Sequence, residues 1–176
     1  MNHRTAVLAL TLGLLYLVAC QSLGGNHEPL SAFLRTDSTE VSVQHRGIAY
    51  VAKIGFLFIN NTGKLISRAG CGPPGWPEVE KRVNGRWVPA YYPVYLACRT
   101  IPDFSWENGA RYQDAVAFMA FEPGHRTEPE LMVDSIDGMY RLRWGFSEGR
   151  EAGAKGARRV EAISNEFRMI LRPITP

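Results

Sequence analysis

Short apolar runs of period two, each closed by turn residues, constrain this chain more than any other feature. In residues 139–146, Tyr140, Leu142, Trp144 and Phe146 fall on one parity, and Arg141 and Arg143 on the other. Successive side chains of a strand point to opposite faces, so this is the pattern of a strand with one buried face. Val41 and Val43 repeat it within 40–44, and Phe167, Met169 and Leu171 within 166–171. Residues 48–59 are apolar on both parities, as expected of a strand covered on both sides. Residues 64–69, 79–83, 86–88, 94–99 and 115–121 supply further short runs. Asn84-Gly85 between two of them is a strong hairpin signal, and Asn60-Asn61-Thr62-Gly63 reads as a turn. Gly72-Pro73-Pro74-Gly75 ends a strand, because proline cannot donate to a ladder. Residues 157–163 hold the one stretch that could make a turn of helix. The expectation is an all-β, antiparallel β-sandwich of about seven to eight strands spanning residues 39–176.

The N-terminus sets the compartment. Arg4 precedes an uncharged run of thirteen residues, 6–18. A helix of that length spans about 20 Å, short of a bilayer's hydrocarbon core of about 30 Å. The run is therefore predicted to be the core of a signal peptide, residues 1–19, rather than a membrane span. It ends in Leu17-Val18-Ala19-Cys20, which resembles the bacterial lipobox. The resemblance implies cleavage before Cys20, acylation of that cysteine with chains such as palmitate, and a mature protein held to the membrane by lipid. Gln21 and Ser22 follow in place of the aspartate that resembles an inner-membrane retention signal, which favours the outer membrane, facing periplasm or surface. Residues 20–38 are mostly polar, with Gly24, Gly25 and Pro29, and are expected to form a flexible lipid-anchored tether.

Export changes what the cysteines mean. Of three, Cys20 is assigned to lipid, leaving Cys71 and Cys98. In an oxidising envelope such a pair is most simply a disulfide, stabilising by about 3–4 kcal/mol on the chain-entropy model. The net charge of +3 falls by one with Arg4 and is too small and too dispersed for nucleic acid. The stretch 150–159 (REAGAKGARR) is read as a solvated loop, because Glu151 dilutes it and its glycines loosen it.

An ordered set of short motifs resembles bacterial immunoglobulin-like domains of envelope lipoproteins. Phe58-Ile59-Asn60-Asn61 closes a strand, and Cys71 follows the next one. A hairpin carries Glu80, Lys81, Asn84, Gly85 and Trp87, and Cys98 comes after it. The segment 107–112 resembles a "pGxY" element imperfectly, residues 138–144 form "GxYRLRW", and a closing "SNEF" begins at Ser164. The similarity covers residues 40–171 and implies an immunoglobulin-like sandwich that makes non-enzymatic protein contacts at the membrane. Intracellular proteinase inhibitors share some of these turns, so a protease-inhibiting or glycan-binding module is the alternative.

No nucleophile elbow, phosphate loop or HExxH zinc motif is present, so an enzyme would need a site the sequence does not display. No metal ligand set and no cofactor motif is recognised. Glu122, His125 and Glu128 cluster in a polar loop, and Asp134 and Asp137 flank a turn, both as turn chemistry requires. Aromatics carry the functional colour. Trp76, Tyr91, Tyr92 and Trp106 lie in or beside the Cys71 to Cys98 segment and are candidates for a binding patch, since exposed rings stack on sugars or anchor protein partners. Trp87 and Tyr95 are assigned to the core.

Overall fold

The computed structural model describes residues 32–69, 76–91, 103–124, 129–152 and 155–173. The chain divides into Met1–Leu30 and Ser31–Pro176, and every described residue belongs to the second unit. Cys20, Cys71, Cys98, Tyr92 and Tyr95, the signal-peptide run and the strand expected at 94–99 lie outside the described residues.

Within them the fold is all-β, with eleven strands. These are β1 (Phe33–Thr36), β2 (Glu40–Arg46), β3 (Ala49–Ile59), β4 (Ile66–Arg68), β5 (Glu78–Val83), β6 (Arg86–Pro89), β7 (Phe104–Trp106), β8 (Arg111–Phe121), β9 (Gly138–Glu148), β10 (Arg159–Ile163) and β11 (Phe167–Arg172). They form one mixed sheet in the order β1-β3-β2-β11-β9-β4-β7, with β8 added to β3, β5 and β10 to β9, and β6 to β5.

Two eleven-residue strands organise this sheet. β3 runs antiparallel to the whole of β8 and pairs with β2 through Ala49–Val51 and with β1 through Phe56–Ile59. β9 is paired on both edges. Arg143 lies opposite Glu78 of β5 and Ile163 of β10, so those strands must flank it on opposite sides. The inward faces of the two long strands meet. Phe56 packs edge-on to Trp144 at 5.5 Å, and Phe58 stacks on Phe146 at 4.9 Å. Trp144, Tyr140, Phe56, Phe58, Phe118 and Phe167 are the largest fully buried side chains. The curled sheet thus brings β3 and β9 together over one aromatic core.

Four expectations are corrected. The sheet is not wholly antiparallel, because β2 and β11 run parallel, from Glu40 beside Arg168 to Gln44 beside Arg172. The strand count exceeds eight, partly because β1 and β7 lack a clear period-two signal. β1 also shortens the expected tether: residues 33–36 pair with β3, and Leu34 is buried in the core. Residues 159–163 form β10 rather than a turn of helix, with Ala162 inward opposite Trp144.

Local chemistry explains the turns. Asn84 and Gly85 adopt positive φ of 49° and 77°, the mirror-image turn that Asn-Gly favours between β5 and β6. Buried Asn60 donates through Nδ2 to the carbonyls of Lys64 and Trp106, both at 2.8 Å, and accepts from Thr62 N. Tyr140 donates its hydroxyl to the Ile136 carbonyl at 2.6 Å, bracing the corner that leads into β9.

Candidate functional groove on the outer face of β9

Trp144 and Phe146 point into the core, so Gly145 and Ser147 between them face outward. The same alternation turns Arg159 and Glu161 of β10 outward around the buried Ala162, and Glu78 of β5 outward beside the buried Val79. Ser67 of β4 alternates with the core residue Ile66 and lies opposite Ser147. These side chains, with Arg68, Arg143 and the loop residue Ala152, line an open groove of about 430 Å³.

Gly145 makes its floor. A Cβ placed there would meet no heavy atom within 4 Å, so the space above it is open. Ser67 is fully buried, and its hydroxyl has no hydrogen-bond partner. An orphaned polar group of this kind costs about 1–3 kcal/mol.

The walls are charged. Arg143 donates to Glu161 at 2.6 Å and lies 3.6 Å from Glu80, which also takes a 2.7 Å bond from Arg141. The hydrogen bond to Glu161 raises the Arg143 pKa, and the same bond, against some desolvation, lowers that of Glu161. Arg143 is thereby fixed as a wall. Trp87 lies beside this ladder, with the Arg141 guanidinium 4.5 Å from its ring centre. Arg68 donates to the Gly145 carbonyl at 3.1 Å. The Arg159 side chain makes no hydrogen bond or ion pair among the described residues, although its charge also lowers the Glu161 pKa. The lining therefore carries three guanidinium groups against the carboxylates of Glu78 and Glu161.

No protein-family model matches the chain, and no curated protein is significantly similar to it. What the groove does must be read from its own chemistry.

The expected aromatic patch is not assembled among the described residues. Trp106 contacts Phe58, Trp144 and Phe146 at 5.9, 5.4 and 5.4 Å and belongs to the core edge. Tyr91 packs edge-on to Phe118 at 5.0 Å and bridges to Leu131. Trp76 is exposed, and its Nε1 donates to Asp114 at 3.3 Å. Tyr112 also donates to Asp114, at 2.6 Å. Burial first, then that bond, raises the Tyr112 pKa to about 12, and the bond lowers that of Asp114.

Other polar clusters serve the fold. Lys81 is buried, and its Nζ donates to the Ser135 carbonyl at 2.6 Å and to the Ser135 hydroxyl at 2.9 Å. Burial lowers its pKa while Asp137 and Asp134 partly restore it. Gly138 leaves room for it, since a Cβ there would come within 2.8 Å of Lys81 Cε. The lysine thus clamps the loop containing Asp134 and Asp137. Among the described residues no three His, Cys, Asp or Glu side chains converge as metal ligands.

The groove was missed in the sequence because its parts come from β4, β5, β9 and β10. Its one local signal was Gly145 on the outward parity of an otherwise well-filled strand, a position that often marks close approach by another molecule.

Proposed function

We propose that this chain is a lipid-anchored envelope protein whose immunoglobulin-like domain binds a protein partner, without catalysis, through the groove over Gly145. The groove carries this reading: an open, charged recess floored by Gly145 and lined by an unpaired buried hydroxyl, on a strand paired along both edges. Binding sites built on such paired strands hold their geometry better than sites on loops.

The immunoglobulin-like assignment is supported by the N-terminal pair of strands. β1 joins β3 antiparallel while β2 joins β11 in parallel, so one kinked segment serves both halves of the curled sheet. It is further supported by the Tyr140 to Ile136 bond, which has the form of the tyrosine corner at the start of the sixth strand in that fold. The domain departs from antibody domains in having no cysteine on β3 or β9. The apolar run ending at Cys20 supports the lipid anchor, and the Cys71 and Cys98 pair is assigned to a disulfide of the exported chain.

The test is site-directed photo-cross-linking in intact cells. A photoreactive residue at Arg159, on the groove rim, should give a discrete protein adduct in the membrane fraction. The same residue at Gln113 on exposed β8 should give none. Equal labelling at both positions, or no adduct at Arg159, would remove the groove from consideration.

A further inference from the structure

Resting on that reading, we infer that the groove takes a carboxylate-bearing peptide segment, an Asp or Glu side chain of the partner seated between Arg159 and Ser67. Two independent observations converge. Arg159 lines the groove without an ion pair among the described residues, whereas Arg143 is already committed to Glu161 and Glu80. The buried Ser67 hydroxyl lines the same groove with its donor unused. A carboxylate accepts from both, taking a forked pair of bonds from guanidinium and a third from the hydroxyl.

The groove's own acids sharpen the class. Glu78 and Glu161 stand on the lining, and their negative charge disfavours a phosphate dianion or a sulfated chain more than a single carboxylate. Gly145 contributes space rather than contact. Its missing side chain lets a strand-like peptide approach the β9 backbone between the walls.

The experiment uses the full chain in detergent micelles and a fluorescein-labelled hexapeptide, acetyl-Gly-Ala-Glu-Glu-Ala-Gly-amide, read by anisotropy at low salt. The glutamine analogue of that peptide and inorganic phosphate serve as competitors. The glutamate peptide should bind at least about tenfold tighter than its glutamine analogue, since loss of a charge-assisted bond is worth that factor or more. Arg159→Glu and Gly145→Val should each weaken it by a similar factor with unchanged melting temperature. Ser67→Ala should weaken binding several-fold while leaving the fold as stable or more so, because it deletes an orphaned donor. A merely structural serine would not separate those readouts. Equal binding of the glutamine peptide, indifference to Arg159→Glu, or displacement by phosphate at the same concentration as by glutamate peptide would each overturn the inference. Failure to bind any peptide, with the Arg159 photo-adduct still formed, would reject the carboxylate class and leave the interaction surface standing.

Discussion

Removing one oxygen from the core isolates what braces the entrance to β9. Tyr140 is fully buried, its ring lies 6.1 Å from that of Phe167, and its hydroxyl donates to the Ile136 carbonyl at 2.6 Å. Tyr140→Phe keeps the ring and its packing and deletes only the donor. The Ile136 carbonyl is then left without that partner, which costs about 1–3 kcal/mol. Taking about 2 kcal/mol, and about 3–4 °C per kcal/mol for a domain of this size, the melting temperature should fall by about 6–8 °C. Urea denaturation should show a lower midpoint at unchanged slope. The alkaline limb gives a second readout. Burial raises the Tyr140 pKa above its ordinary 10.0, so above about pH 10 the folded chain keeps a proton that the unfolded chain releases, and stability falls as pH rises. Tyr112, raised to about 12, acts with the same sign. Lys81, whose pKa is lowered by burial, acts oppositely but only below its ordinary 10.5. Between about pH 10.5 and 11.5 the slope should therefore be shallower in the variant than in the native chain, without vanishing. A midpoint shift worth less than about 0.5 kcal/mol, or an unchanged alkaline slope, would refute the reasoning.

Cys20→Ser should move the protein from the detergent-extracted membrane fraction to the soluble one, because stable anchoring takes two or more acyl chains; absence of lipid on the native mature chain by mass spectrometry would contradict the anchor. Cys71→Ala and Cys98→Ala should destabilise equally, by about 2–5 kcal/mol in melting experiments, and two free thiols in the non-reduced envelope protein would contradict the pairing. Asp114→Asn should lower the Tyr112 pKa from about 12 towards its ordinary 10.0, followed by phenolate absorbance, since it removes the carboxylate that favours the protonated phenol. Trp106→Ala should cost about 3–5 kcal/mol on the core reading, measured by urea denaturation, and a loss below about 1 kcal/mol would restore it as a surface residue.

Period two was legible wherever a strand buries one face. β2, β9 and β11 follow their patterns, with Val41, Val43, Tyr140, Leu142, Trp144, Phe146, Phe167 and Met169 all inward. β1 and β10 were not legible, for a physical reason. Phe33-Leu34-Arg35-Thr36 alternates apolar and polar only in part, and its Thr36 is buried because Asn165 binds it, N–H to Oδ1 at 2.9 Å and Oγ1 from Nδ2 at 2.8 Å. That tie is between residues far apart in sequence, so no local window contains it. In β10 a single fully buried alanine carries the inward face, too weak a signal against flanking charges. The motifs behind the family resemblance fared differently. Glu80 bonds Arg141, Lys81 reaches over Tyr140 into the loop beside Gly138, and Trp87 lies on Arg141. The hairpin and the strand that follows much later are thus two halves of one interlocked structure. Ser164, at the start of the closing motif, accepts from Leu142 N and carries the break between β10 and β11.

That interlocking decides which outward residues remain to bind anything. Glu80 is nearly buried beneath Arg141 and Arg143, so each arginine is held by a carboxylate that it would be costly to uncover. A partner competing for Arg143 would have to displace Glu161 as well. Arg159 asks for no such exchange. It sits two ladder positions beyond Gly145, paired in register with Ser147, and Ser147 in turn lies opposite Ser67. Charge, hydroxyl and open floor therefore fall within neighbouring rungs of β4, β9 and β10. The backbone of those strands is fixed by pairing before any ligand arrives, so little ordering entropy opposes binding there.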